Sequence, residues 1–278
     1  IYVLSENREL VGVISIKELF RLSKQASIGE HMVTDVIAVD SQMDQEHAAL
    51  LALKNSLKAI PVVDAKNRFL GVMTFDTILR VLDSEAVENI LRMGGVYTGG
   101  QVDDTMRLSI KQSLSRRLPW LLIGLLGGFL TAGIIRGFEE ILHSNLMLAA
   151  FIPLIVYMAD AVSSQMQVLL IRDISVNRAL DFFKYAIRQS YIVLCLGLCT
   201  GLAMLAVSYA IYRDLAISLV LCLALLLAVF SSLVSGIMIP YFFSRLKFDP
   251  ANASGPIATI IQDTLSVLIY FVVATMLL

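Results

Sequence analysis

Residues 248–271 read "FDPANASGPIATIIQDTLSVLIYF". A run of about 20 apolar residues is what a helix needs to cross the hydrocarbon of a bilayer. This run carries Asp263 in its middle, with Asn252, Thr259 and Ser266 beside it. A carboxylate at bilayer depth costs about 2.5–3.5 kcal/mol on insertion scales, so something has to offset it. Asn252, Pro256, Thr259, Asp263, Ser266 and Tyr270 recur at steps of three or four, which is one face of a helix. Asp263 lies 14 residues beyond Asp249. At a rise of ~1.5 Å per residue it sits about 21 Å along the helix, near mid-membrane.

An earlier apolar run repeats the pattern. Tyr157, Asp160, Ser164 and Gln167 share a helical face, again with one carboxylate. Two polar stripes with buried acids point to a water-filled route for cations. Serine and threonine alone read more simply as interhelical hydrogen-bond glue. Asp263 does not, because an ionised acid needs a cation or water. Asp160 stands between the two readings, and Gln165 next to Ser164 joins the candidate lining.

Outward from these stripes the chain divides by composition. Residues 1–118 hold 14 Lys+Arg and 15 Asp+Glu, whereas residues 119–278 hold 8 of each. A soluble region therefore precedes a membrane region. Five spans can be drawn, at about 118–143, 146–171, 185–211, 214–243 and 251–278. Arg116, Arg117, Arg172, Arg178, Lys184, Arg188, Arg245 and Lys247 fall on one side, and Arg136 and Arg213 on the other. The positive-inside rule then puts the soluble region in the cytoplasm and the C-terminus outside a plasma or inner membrane. The odd number of spans suits a dimer that builds its pathway between subunits. Glu139 and Glu140 fall at the outer mouth.

The soluble region is a repeat and a half. "IYVLSENRELVGVISIKELFRL" from Ile1 and "IPVVDAKNRFLGVMTFDTILRV" from Ile60 align without gaps at an offset of 59, pairing Gly12 with Gly71 and Ser15 with Thr74. Each reads as strand, charged turn, strand and helix. Only the second copy has an earlier strand and amphipathic helix, so the chain is expected to begin inside a domain. The Gly-Val strands leading into helices, with "IPVVD" before the second, resemble tandem CBS domains. Such pairs act as sensors of nucleotides or ions. The expected division is a truncated first repeat at 1–24, a second at 25–83, an acidic connector at 84–117 and a membrane domain at 118–278. The fold class is α+β followed by an all-α polytopic domain.

Asp83, Glu85 and Glu88 crowd about one turn of the connector, where like charges repel unless a cation or a basic partner screens them. A solvated helix face is the default reading; with Asp76 these acids are also the candidate regulatory metal ligands. Cys195 and Cys199 are spaced for a shared soft metal, but no third ligand is near, so they read as small membrane residues. His31, His47 and His143 are scattered. Net charge is −1 and gives no footprint for nucleic acid, and no nucleophile set or phosphate loop suggests an enzyme.

Taken together, the tandem CBS pattern, "DSEAVENI", "SRRLPWLL", "FIPL" and the quoted stretch resemble the MgtE family of magnesium transporters and channels. The resemblance covers the whole chain. It implies a homodimer in the lipid bilayer with five spans per subunit and a pore formed largely by the second and fifth. It puts the buried pore carboxylate on Asp263 and the helix-opening Asp-Pro on Asp249 and Pro250. It also implies an acidic domain ahead of the CBS pair. The chain departs from the family in "VYMADAVSSQ", where Asp160 and Ala161 replace a glycine and an asparagine, and at Asn89, where an acid is common. The expected function is Mg²⁺-selective passage gated by cytoplasmic Mg²⁺, with a nucleotide such as ATP as a further CBS ligand. Alternatives are a divergent carrier of Co²⁺ or Mn²⁺ and a non-conducting membrane sensor.

Overall fold

The structure, a computed structural model, describes residues 1–97, 107–176, 180–246 and 255–278. It comprises two compact units, Ile1–Val87 and Glu88–Leu278.

In the first unit, β1 (Tyr2–Leu4) pairs antiparallel with β2 (Leu10–Val13), and α1 (Ile16–Leu19) follows, its N-terminus capped by Ser15 Oγ accepting from Glu18 N. After α2 (Ile28–His31) come β3 (Val39–Asp40), α3 (Gln45–Lys54), β4 (Ala59–Val63), β5 (Phe69–Thr74) and α4 (Phe75–Met93). β4 is the middle strand, parallel to β3 and antiparallel to β5. Alanines of α3 close on this sheet with Val39, Ile60 and Ile78 to make the core.

The repeat extends to the backbone. Arg8 and Asn67, 59 residues apart, both take left-handed conformations, with φ of 63° and 58°. The two hairpin turns join each other symmetrically: Leu10 N donates to Asn67 O at 3.0 Å and Phe69 N to Arg8 O at 2.9 Å. In the second turn the Asp64 carboxylate accepts from the backbone N–H and the side chain of Arg68 and from Lys66 N, which holds it below the usual carboxylate range. Only one of the paired glycines is sterically required. A Cβ on Gly12 would stand 3.1 Å from the Val33 carbonyl and closer still to Met32, whereas Gly71 has open space.

The second unit is helical. After the end of α4 come α5 (Ile110–Gly137), α6 (Glu139–Ser144), α7 (Met147–Val176), α8 (Phe182–Tyr212), α9 (Leu215–Leu233), a π-helical turn (Val234–Met238), α10 (Ile239–Arg245) and α11 (Pro256–Leu277). Among the described residues, five helical stretches are long and apolar enough to cross a bilayer, with α9, the π turn and α10 forming one of them. The first is displaced from the expected 118–143. It starts at Ile110, where Ser109 and Gln112 form a reciprocal capping box, and stops at Gly137. Phe138 leaves helical geometry and Glu139 and Glu140 start a separate short helix.

The fourth of these spans is the most apolar and the most buried. It packs against α8, α7 and α11, and its sequence is hydrophobic nearly all round, as a central helix must be. Gly197 and Gly201 of α8 face it at backbone distance: a Cβ would stand 3.3 Å from Leu226 O and 3.2 Å from Cys222 O. Tyr270, fully buried on α11, donates its hydroxyl to the Leu148 carbonyl at 2.8 Å and so ties the fifth span to the start of the second.

Candidate functional site

α5, α7 and α11 enclose a partly open cavity of about 310 Å³. Small residues make the space. Gly127 lets α5 touch α11, since a Cβ there would stand 2.4 Å from Ile260 Cγ2. Four residues on, Thr131 Oγ1 and Thr264 Oγ1 are hydrogen-bonded at 3.1 Å. Gly124 and Gly128 turn open backbone toward the cavity, and Pro153 and Val156 of α7 line the other wall. Proline has no N–H to offer the carbonyl one turn back, so the α7 ladder is interrupted beside the cavity.

Asp263 is half-buried and, among the described residues, the one charged side chain in this lining. Asp160 on α7 is within electrostatic range of it. The Thr259 side chain lies beside the Asp160 carboxylate, while Oδ1 of Asp160 is buried and makes no hydrogen bond to a described residue. Two acids from two helices, one facing a cavity and one with an unused acceptor, form an arrangement that repels itself unless a cation or protons intervene.

The remaining candidates separate. Ser266 is fully buried and bonded to Gln262, not turned to the cavity. Ser164 and Gln165 lie exposed on α7. Asp249 and Asn252 fall outside the described residues. Asp76 and Asp83 are exposed on α4, and the Glu85 carboxylate accepts from Gln45 Nε2. Glu88 is buried and paired with Arg92, so its charge is met from within. Among the described residues no three acids, histidines or cysteines gather as a metal site. Asp76, Asp83, Glu85 and Glu88 therefore do not gather as a metal site within one chain.

Sequence reasoning missed polar residues behind the site: the fully buried Gln262 and the two serines bonded to it, fully buried Ser235 and half-buried Ser231. The signal was present as Ser231, Ser232 and Ser235 followed by Gly236 in the most apolar span, where polar side chains need partners. It missed as well the junction at the foot of α11. Gly95, with φ of 72°, closes α4 against Pro256 and Trp120, and a Cβ on Gly255 would stand 3.1 Å from Arg92 O.

Residues 152–273 match the MgtE family, described as divalent cation transporters, and residues 28–84 match the CBS domain family. The chain is 31% identical over 278 residues to the magnesium transporter MgtE of Bacillus subtilis, a similarity covering 99% of this chain and 60% of that protein. It is 30% identical over 282 residues to the magnesium transporter MgtE of Thermus thermophilus, covering 100% of this chain and 62% of that protein. The chain thus spans about 60% of the length of these curated relatives. A solved cytosolic domain of the Mg²⁺ channel MgtE in complex with ATP is 34% identical, covering 29% of this chain and 33% of that one, with a TM-score of 0.28.

Proposed function

We propose that this chain, whose residues 152–273 match the MgtE family and whose residues 28–84 match the CBS domain family, conducts Mg²⁺ passively across the membrane under control of its CBS region. The observation that carries the reading is Asp263, a carboxylate held at the wall of a cavity between the first, second and fifth spans. Mg²⁺ gives up water reluctantly and accepts oxygen ligands in octahedral geometry. A cavity of about 310 Å³ leaves room for an ion that keeps most of its water. Asp263 then acts as a charge that draws in the ion, and Asp160 adds a second acceptor one helix away. Anions are excluded by the same charges.

In the dimer proposed here the two subunits bring two Asp263 side chains to a shared route. The C-terminal end of α4 abuts the start of α11 through Gly95 and Gly255, which supports a mechanical link from the connector to the acid-bearing helix. Internal Mg²⁺ screens Asp76, Asp83 and Glu85 on the cytoplasmic side and favours the closed state, a shift limited by its differential affinity for the two states. A nucleotide such as ATP is a further proposed ligand of the CBS region.

Asp160 favours one second reading. An acid with an unused buried oxygen can enter the inner coordination shell of a divalent ion that dehydrates more readily than Mg²⁺, such as Co²⁺ or Mn²⁺. Flux into liposomes carrying the purified protein, followed with ion-sensitive dyes, tests both. The proposal predicts Mg²⁺ entry that excess Co²⁺ does not abolish. Absence of any divalent flux would leave only a sensor.

A further inference from the structure

What holds Asp160 and Asp263 in place lies behind the two stripes, in a directed chain of buried hydrogen bonds across three helices. Gln262 can be oriented one way only. Its Nε2 faces the Ala228 carbonyl at 3.3 Å, and a carbonyl can only accept. Its Oε1 therefore accepts, and Ser235 Oγ is the donor. With its single proton committed, Ser235 must accept from Ser163 Oγ, 2.8 Å away on α7. Ser163 in turn accepts from Gln167 Nε2 at 2.8 Å. On the far side Gln262 Nε2 also donates to Ser266 Oγ at 2.9 Å, whose own proton goes to the Gln262 backbone carbonyl at 2.8 Å. Ser163, Ser235, Gln262 and Ser266 are fully buried, so each bond is made where water cannot replace it.

Ser235 stands in the π-helical turn, a local irregularity that shifts side chains off their α-helical phase. The next residue, Gly236, brings the turn against α7: a Cβ there would lie 2.9 Å from Ser163 O and from Met166 Cβ. The same short segment thus grips both acid-bearing helices. Asp160 precedes Ser163 by three residues, and Asp263 directly follows Gln262. Pinning Ser163 and Gln262 fixes the rotation of α7 and α11 about their own axes.

We propose that Ser235 is a positioning residue for ion passage, bridging Ser163 and Gln262 so that the carboxylates of Asp160 and Asp263 keep a fixed separation and aim. The inference rests on the reading of Asp263 as part of the ion route. Loss of the bridge lets the helices turn by a few degrees relative to each other, which moves the acids without removing them. Ion affinity should change more than the capacity to conduct. Ser232 supplies a control inside the same helix, because it is equally buried and donates to the Val229 carbonyl of its own helix.

The experiment uses the full chain in liposomes and reads Mg²⁺ influx against Mg²⁺ concentration for Ser235→Ala, Ser163→Ala, Ser232→Ala, Ser235→Thr and Asp263→Asn. Ser235→Ala and Ser163→Ala, which cut the chain from two sides, are each expected to raise the half-saturating concentration about three- to ten-fold, the scale of one buried hydrogen bond. Maximal flux should change less. Ser232→Ala should match the parent, and Ser235→Thr, which keeps the hydroxyl, should return toward it. A merely structural role would lower the yield of inserted protein and leave the half-saturating concentration where it was. If Ser235→Ala and Ser163→Ala superimpose on Ser232→Ala while Asp263→Asn loses flux, the positioning role is wrong and the ion route stands. Parent-like flux through Asp263→Asn would remove the route, and this inference with it.

Discussion

Asp160 and Gly127 carry opposite kinds of information. Asp160 is charge without a full set of partners. Replacing it by Asn keeps the shape, supplies a donor and removes one negative charge from the pair with Asp263. If it contributes an inner-shell oxygen, Asp160→Asn should reduce Co²⁺ and Mn²⁺ entry relative to Mg²⁺ by several-fold, because those ions gain most from direct ligation. Competition uptake of the three ions in one liposome preparation measures the ratio, and an unchanged ratio would assign Asp160 to helix packing. Gly127 is space rather than charge. A methyl there meets Ile260, a β-branched side chain with little freedom in a helix. Gly127→Ala should cost about 1–3 kcal/mol by overpacking and stretch the Thr131–Thr264 bond. Gly133, with open space at its Cβ, should tolerate alanine. Thermal unfolding of the two variants in detergent separates them, and equal midpoints would argue against a tight α5–α11 contact.

At the level of elements, α4 divides its acids by burial. Asp76 and Asp83 are exposed and available to screening ions, whereas Glu88 is buried with Arg92. Asp76→Asn with Asp83→Asn should raise the internal Mg²⁺ concentration that halves influx several-fold. Glu88→Gln should instead lower stability, because it breaks the ion pair that the buried Glu88 carboxylate makes with Arg92. Inside-out vesicles titrated with Mg²⁺ test the pair, and an unchanged inhibition curve for the double variant would move sensing elsewhere. The CBS repeat was legible in the sequence because a 59-residue offset preserves both a strand pattern and a turn, and Arg8 and Asn67 confirm it in backbone geometry. Apolar length likewise made the five helices legible. The start of α5 was not, because its first two turns are polar and rest on a capping box rather than on hydrophobicity. Helical periodicity also misdirected Ser266. A face 100° wide holds both cavity-facing and neighbour-facing positions, and only packing against the π turn at Ser235 distinguishes them.

For the whole molecule, eight basic residues on one side of the spans against two on the other fix the proposed orientation. Single cysteines near Arg116 and in the segment before Lys184 should resist a membrane-impermeant thiol reagent applied outside. Cysteines near His143 and Asp214 should react, and the reverse pattern would overturn both the topology and cytoplasmic gating. Under the proposal, the soluble region meets internal Mg²⁺ and Asp263 meets the ion in transit. All of this depends on one carboxylate attracting a divalent ion where the surroundings are poorly polarisable, so its charge should matter far more than it would in water. Asp263→Asn keeps volume and hydrogen bonding, removes one charge per subunit and relieves the cost of burying it. The deciding measurement is Mg²⁺ flux and Mg²⁺-over-K⁺ selectivity in liposomes containing this variant at parent levels of insertion. The account predicts flux lowered at least ten-fold, the scale of about 1.4 kcal/mol, or selectivity lost, with stability unchanged or slightly higher. Parent-like, still selective flux would contradict it.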